Sequence, residues 1–259
     1  MSKIPKVLHY CWLSDDAMPP KLAACVESWK KYCPDFKIIN WNFDRLGDKA
    51  PVWVRQAFDE KKYAFAADWV RAYALASFGG IYLDSDVEII KPLDDLLGND
   101  YLLSYEGESD STVEAAVMGA VAGLPFFKNL LAYYDGREFV KADGSLDMFP
   151  LPGIINTVSE GRFSFVRVAN PEEAIRRTEA QREAGSNSEM YILPWQYLSP
   201  KSVHTGKINL APETHTIHHF SGTWQTPWDR FYRSLRHFAR KIPGVHRLKV
   251  KLFGVYGKK

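Results

Sequence analysis

Residues 78–88, FGGIYLDSDVE, constrain the fold of this chain more than any other stretch. Two consecutive glycines, Gly79 and Gly80, are typical of a helix C-terminus or a tight turn. Three apolar strand formers follow them and lead directly into Asp84 and Asp86. In an open α/β sheet, ligands bind beyond the carboxyl ends of the strands. We therefore expect these two carboxylates to face a ligand.

Two carboxylates one residue apart repel each other unless a cation joins them. A hard divalent ion with oxygen ligands fits best, Mn²⁺ or Mg²⁺, and such an ion usually also binds substrate phosphates. The alternative is that Asp84 and Asp86 are solvated turn residues, as in most Asp-x-Asp sequences at strand ends. The motif alone leaves both interpretations open.

Composition indicates one large globular domain, or one domain with an appendage: 259 residues, 46% hydrophobic and 25% charged. The three cysteines, without a CxxC pair, argue against a disulfide framework or a zinc site and favour a reducing compartment. The start has no long apolar segment and no run of 18 apolar residues occurs, so we expect no signal peptide and no membrane span. The expected location is cytoplasmic.

The last 31 residues form a separate feature. Residues 229–259 contain ten Lys or Arg and one acidic residue, a formal +9 in a chain whose total is +2. Apolar residues recur among them at helical intervals, which favours peripheral binding to anionic lipid on the inner face of a membrane. The alternative is a C-terminal helix packed on the domain; no nucleic-acid module is recognisable. We predict a domain over 1–228 and a basic tail over 229–259.

The opening of the chain predicts a β-α-β unit, with strands over 6–12 and 36–41 around an amphipathic helix. No glycine-rich phosphate loop follows the first strand, so neither a dinucleotide fingerprint nor a Walker loop is present. A helix predicted over 64–78 leads into the glycine pair. Asp68 and Arg71 share one of its faces, where a weak surface ion pair is the alternative to a functional role. Further predicted elements are a strand over 101–105 and helices over 51–60 and 124–134. The segment over 151–158 follows a Pro-rich turn, and 171–183 is interpreted as an exposed helix or a mobile insertion.

The segments IPKVLHYCW, ESWKKYCPDF, AFAADWVRAYALASFGGIYLDSDVEIIKPLDDLL and HHFSGTW resemble glycosyltransferase family 32. The resemblance is dense over residues 4–97, thin over 110–206 and returns at 218–224. This family includes Golgi mannosyltransferases and bacterial capsule or lipopolysaccharide transferases, and is distantly similar to the large glucosylating toxins. It implies a GT-A fold: α/β, with a mostly parallel central sheet flanked by helices.

The resemblance also implies a donor site for a UDP- or GDP-sugar. Trp12 matches an aromatic residue that stacks on the donor base, although it could equally be a core residue. Asp68 and Arg71 match a pair that contacts the donor sugar and ribose. Tyr82 lines the same pocket. Glu106 is a weak candidate for contact with the acceptor, against a solvated loop acid.

The metal end of the site is implied in the same way. Asp84 faces the ribose and metal-bound water, and Asp86 ligates the ion directly. A ligand five residues before a Trp that touches the diphosphate maps to His219 and Trp224, with His218 as the alternative. The catalytic residues expected are Asp84, Asp86 and Arg71.

The function expected is metal-dependent transfer of a hexose, with retention, from a nucleotide-sugar to a saccharide acceptor, including a lipid-linked one. Bacterial surface polysaccharide or lipopolysaccharide synthesis is the setting that the resemblance implies. Two alternatives stay open: a nucleotide-sugar hydrolase, and a non-catalytic module that binds sugar or nucleotide on the same fold.

Overall fold

A computed structural model describes residues 3–107, 112–202 and 205–221. The chain divides into two units, Met1–Phe220 and Ser221–Lys259. The basic tail and the domain boundary predicted at residue 228 lie outside the described residues. Within the described part, no helix combines the length and apolar character needed to cross a membrane.

The elements alternate between helices and short strands. The helices are α1 (Pro20–Tyr32), α2 (Phe43–Leu46), α3 (Val52–Asp59), α4 (Tyr63–Phe78), α5 (Pro125–Ala132), α6 (Leu151–Ser159) and α7 (Pro171–Glu183). The strands are β1 (Val7–Cys11), β2 (Lys37–Trp41), β3 (Gly80–Leu83), β4 (Val87–Ile89), β5 (Tyr101–Leu102), β6 (Val117–Ala120), β7 (Ser164–Arg167), β8 (Glu189–Ile192) and β9 (Thr216–His218). The amphipathic helix of the opening unit and the helices predicted over 51–60, 64–78 and 124–134 are present. The segment over 171–183 is a helix rather than a mobile insertion.

The central sheet has the order β2-β1-β3-β6-β5. Strand β1 runs parallel to β2 and β3, whereas β6 runs antiparallel to β3 and β5, so four of the five strands point the same way. The β-α-β opening is confirmed. The α/β fold class with a mostly parallel sheet flanked by helices is also confirmed.

Alternate residues of the central strands enter two hydrophobic clusters on opposite faces of the sheet. Tyr82 of β3 packs with the α3–α6 layer, which includes Trp53 and Val70. Ile81 and Leu83 pack on the other side with Trp29 of α1. Because the side-chain period of a strand is two, both faces of β3 are covered, and its carboxyl end is the exposed place for a ligand.

The glycine pair at the end of α4 is required by its backbone conformation. Gly79 and Gly80 have φ angles of 66° and 96°, in the left-handed region. A Cβ atom at Gly80 would lie 2.6 Å from the carbonyl oxygen of Val7, and one at Gly79 would lie 2.7 Å from the amide nitrogen of Ala122. Helix α4 can therefore turn directly into the centre of the sheet.

Buried His9 holds this turn against the first two strands. The indole N–H of Trp41 donates to Nδ1 of His9 at 3.1 Å, so Nε2 carries the proton and donates to the carbonyl of Gly79 at 2.8 Å. Burial lowers the pKa of His9 from its usual 6.5 to about 4. The neutral ring thus joins β1, β2 and the end of α4.

Replacing Gly80 by Ala should destabilise the domain more than the same change at Gly136. Both glycines have positive φ, but nothing lies within 4 Å of a Cβ at Gly136. Gly136→Ala should therefore lower the free energy of unfolding only by the strain of a left-handed backbone, about 1–2 kcal/mol. Gly80→Ala adds a clash of the new Cβ with the backbone. Its free energy of unfolding in urea should therefore be lower than that of Gly136→Ala by at least about 1 kcal/mol. Equal losses would contradict the close approach to Val7.

The neutral state of His9 should make stability depend on pH. Its pKa is lowered in the folded state, so its contribution is present above pH 6.5 and is lost as the pH falls towards 4. The loss should reach about 3 kcal/mol for the wild type. His9→Gln keeps one donor and one acceptor without a titrating ring, so its urea-unfolding free energy should fall less between pH 7 and 4.5. Parallel curves for the two proteins would refute this assignment.

Candidate metal and donor site

Asp84 and Asp86 lie in the turn between β3 and β4, at the carboxyl end of β3 as predicted. The amide of Asp84 donates to the carbonyl of Ala116 at 2.8 Å, and the amide of Val87 donates back to the carbonyl of Asp84 at 3.0 Å. These bonds fix the backbone on both sides of the motif. Both carboxylates remain partly accessible, with side chains 31% and 14% exposed.

His218 joins the two aspartates from a distant part of the chain. Strand β9 pairs antiparallel with β4, with His218 opposite Val87. Nε2 of His218 lies 3.5 Å from Oδ1 of Asp86, and ligand atoms of Asp84, Asp86 and His218 all lie within 4.8 Å of one another. Two carboxylates and an imidazole suit Mn²⁺ better than Mg²⁺. The donor set thus fits a divalent ion.

The structure places His219, the predicted ligand, away from this cluster. Its Nε2 lies 2.9 Å from Oε2 of Glu88, while its amide donates to the carbonyl of Asp86. Adjacent residues of an extended strand point to opposite sides, so only one of the two histidines can face the aspartates. His218, kept as the alternative, is that residue. Trp224 lies outside the described residues.

Arg71 links the helix α4 to the aspartate turn. Its Nη1 donates to Asp68 at 3.0 Å and its Nη2 donates to Asp84 at 2.6 Å. The residue is 4% exposed and its guanidinium carbon lies 4.7 Å from the ring centre of Tyr82. A surface ion pair between Asp68 and Arg71 is therefore not observed. The guanidinium instead holds the first carboxylate of the motif in place.

The charges around Arg71 follow from burial and pairing. Burial alone would lower the pKa of Arg71, but the carboxylates of Asp84 and Asp68 raise it above its usual range. Burial raises the pKa of Asp68 to about 7, although Arg71 opposes this shift. The pair is thus a buried, charge-assisted contact whose partners cannot be removed singly without cost.

Trp12 follows β1 at the same edge of the sheet. It is half-buried and belongs to neither hydrophobic cluster, so it is not a core residue. Its indole N–H donates to the carbonyl of Asp16 at 3.0 Å, which fixes the ring in the loop before α1. An anchored, partly exposed aromatic ring can stack on a base.

Glu114 is the site residue that the sequence reasoning missed. It lies just before β6, is 1% exposed, and its Oε1 is 3.4 Å from Nδ1 of His218. Burial would raise its pKa, but His218 outweighs this and the pKa is lowered. An acid inside the apolar run VEAAVMGA is a usable sequence signal, because a buried carboxylate needs a partner. The sequence could not name that partner.

Glu106 lies beside Glu114 on a short hairpin. Tyr105 pairs with Val113, and the amide of Glu106 donates to the carbonyl of Thr112 at 2.7 Å. Burial and then the charge of Glu114 raise the pKa of Glu106 to about 7. It is half-buried rather than a solvated loop acid; its contact with an acceptor stays a prediction.

A family model described as "Glycosyltransferase sugar-binding region containing DXD motif" matches residues 19–103. The matched part includes α4, β3 and the aspartate turn.

Curated relatives are similar over about half of this chain. An inositol phosphoceramide mannosyltransferase of Schizosaccharomyces pombe is 32% identical over 127 residues, 48% of this chain and 35% of the relative. A mannosyl phosphorylinositol ceramide synthase of Saccharomyces cerevisiae is 31% identical over 152 residues, 53% of this chain and 37% of the relative. The chain therefore spans little more than a third of the length of the curated relatives it matches. Among solved structures, the PaToxG glycosyltransferase matches with a TM-score of 0.42 and 16% identity, over 60% of this chain and 68% of that one.

Replacing Arg71 by Lys should destabilise the domain although the charge is kept. A single ammonium group cannot donate in two fixed directions, so one of the two carboxylates loses its partner. We expect a loss of about 3 kcal/mol in urea unfolding. Arg177→Lys is the matched control, since Arg177 pairs with Glu173 on the exposed face of α7 and should change little. An equally small loss at both positions would contradict the bridging role of Arg71.

Proposed function

We propose that this chain is a metal-dependent transferase that uses a nucleotide-sugar donor, since its residues 19–103 match the model of a glycosyltransferase sugar-binding region with a DXD motif. The observation that carries this proposal is the convergence of Asp84, Asp86 and His218 at the carboxyl end of β3. Oxygen and imidazole ligands at this edge suit an ion that also binds a diphosphate.

The residues of the chain divide the work at this site. Asp86, Asp84 and His218 would hold the ion, which would neutralise negative charge on the leaving diphosphate. Arg71 keeps the carboxylate of Asp84 oriented through its Nη2. With Nη1 and Nη2 engaged by Asp68 and Asp84, Arg71 acts on the donor mainly through the position of Asp84.

The donor would lie between the motif and the loop after β1. The half-buried ring of Trp12 is the proposed stacking surface for the base. Tyr82 is buried beneath Arg71 and supports the guanidinium rather than offering a free surface. Both UDP- and GDP-sugars are compatible with these features.

The names of the curated relatives make mannose the first sugar to test. They also make a lipid-linked acceptor with a polar head group the first acceptor class, which fits the earlier expectation of a lipid-linked saccharide. Synthesis of a bacterial surface polysaccharide stays a prediction. Membrane contact through residues 229–259 stays one too, as does a cytoplasmic location.

We propose transfer with retention by attack on the same face as the leaving group. The bond between the anomeric carbon and the phosphate oxygen breaks, and a bond from that carbon to the acceptor oxygen forms. The acceptor proton passes to the departing phosphate. Asp84, Asp86 and His218 would hold a divalent ion where charge develops on the diphosphate, and Arg71 would contribute through the position of Asp84.

A panel of UDP- and GDP-sugars, including GDP-mannose, should identify one donor that binds and turns over only with Mn²⁺. Asp86→Asn should lower turnover about 100-fold or more, because a ligand and its charge are lost. Asp135→Asn is the control, since Asp135 lies on an exposed turn after α5. Released nucleotide and the acceptor product are both measured.

Each other outcome names a different function. Nucleotide release into water alone, with every acceptor tested, would favour the hydrolase. Donor binding without turnover would favour a non-catalytic module. Full activity of Asp86→Asn with Mn²⁺ would overturn the metal-dependent transferase.

A further inference from the structure

We propose that Glu114 is a positioning residue that orients His218 through Nδ1, so that Nε2 is presented to an ion held by Asp84 and Asp86. This inference rests on the metal site of the proposed function. It adds a residue that lies outside the segment matched by the family model, which ends at residue 103.

The carboxylate of Glu114 is fixed by its backbone surroundings. Its amide donates to the carbonyl of Ser104 at 2.8 Å, across the hairpin that precedes β6. Its Oε1 accepts from the amide of Ala116 at 2.8 Å, and the residue is almost fully buried. A carboxylate held in this way can set the direction of a side chain next to it.

The two ring nitrogens of His218 face different carboxylates. Nδ1 lies 3.4 Å from Oε1 of Glu114, and Nε2 lies 3.5 Å from Oδ1 of Asp86. Among the described residues, Nδ1 is buried and forms no hydrogen bond of normal geometry, and Glu114 is the carboxylate that faces it. A proton on Nδ1, facing Glu114, leaves the lone pair of Nε2 directed at the two aspartates. The opposite tautomer would direct an N–H at the ion.

The chain contains a second histidine–carboxylate pair that serves as a comparison. His219 and Glu88 meet at 2.9 Å, with side chains 30% and 40% exposed. This pair is closer than His218 and Glu114 but is not part of the group of possible metal ligands. Removing the carboxylate from each pair therefore tests whether metal binding depends on Glu114 in particular, or on any carboxylate that lies beside a histidine.

The test measures Mn²⁺ binding, with the electron paramagnetic resonance signal of the free ion as the readout. Five proteins are compared: the wild type, Glu114→Gln, His218→Ala, the double variant Glu114→Gln/His218→Ala, and Glu88→Gln. Glu114→Gln should weaken Mn²⁺ binding about 10–100-fold, and Glu88→Gln should leave it unchanged. In the His218→Ala background, Glu114→Gln should have no further effect, because the residue acts through the imidazole.

Metal preference gives a second readout that a merely structural role would not move. Imidazole favours Mn²⁺ over Mg²⁺, so Glu114→Gln should reduce affinity for Mn²⁺ more than affinity for Mg²⁺. Glu114→Asp keeps the charge but withdraws the carboxylate by one methylene. Glu114→Asp should also weaken Mn²⁺ binding. It replaces Glu114→Gln in the test if near-UV circular dichroism shows that Glu114→Gln does not fold.

The outcomes separate this inference from the proposed function. Unchanged Mn²⁺ affinity in a folded Glu114 variant would overturn the role of Glu114 and leave the metal site standing. If Glu114→Gln weakened Mn²⁺ binding as strongly in the His218→Ala background as in the wild type, the positioning role of Glu114 would be overturned as well. No Mn²⁺ binding by the wild type would overturn the metal site and this inference together. Weakening by Glu88→Gln alone would return the ligand role to His219.

Discussion

Four carboxylates converge at the carboxyl end of β3, and two nitrogen-bearing side chains lie between them. Arg71 bridges Asp68 and Asp84, and His218 lies between Glu114 and Asp86. Each of these two side chains thus connects one acid of the Asp84–Asp86 motif to a second acid outside it. Without these contacts the like charges would repel one another. The arrangement fixes the motif before any ligand arrives.

Four separate parts of the chain supply these groups, and the sheet brings them together. Helix α4 carries Asp68 and Arg71, and the glycine pair connects the end of α4 directly to β3, without a longer loop. Strand β6 runs antiparallel to β3, so its start, with Glu114, reaches the end of β3. Strand β9 pairs with β4 and adds His218. The small β4–β9 sheet is thus as important to the site as the large one.

The sequence predicted the parts of this site that are local and left open the parts that depend on pairing. The unit of helix, glycine pair, strand and aspartates lies within 25 residues, and its boundaries could be predicted from propensity and turn chemistry. The segment 171–183 was interpreted as an exposed helix or a mobile insertion. It forms α7, which Asn170 caps by accepting from the amide of Glu173. Strand β6 was not predicted, because four apolar residues carry no periodicity of their own.

The choice between His218 and His219 depends on the register of β9 against β4, which a single sequence does not determine. The burial of Asp68 and Arg71 was hidden for a similar reason, since α4 is covered on the face that its polar residues suggested was exposed.

The geometry also bears on how an ion would be shared between protein and donor. Oδ1 of Asp84 is already engaged by Arg71 at 2.6 Å, so Arg71 and an ion would share this carboxylate. Asp84, Asp86 and His218 would supply three protein ligands to a divalent ion. Oxygen atoms of the donor diphosphate would complete the binding of such an ion, because the site lies open at the sheet edge. A donor diphosphate would therefore add to the binding that the three protein ligands already provide. The buried pairs Arg71–Asp68 and His218–Glu114 would then strengthen metal binding by keeping the ligands aligned while the donor enters and leaves.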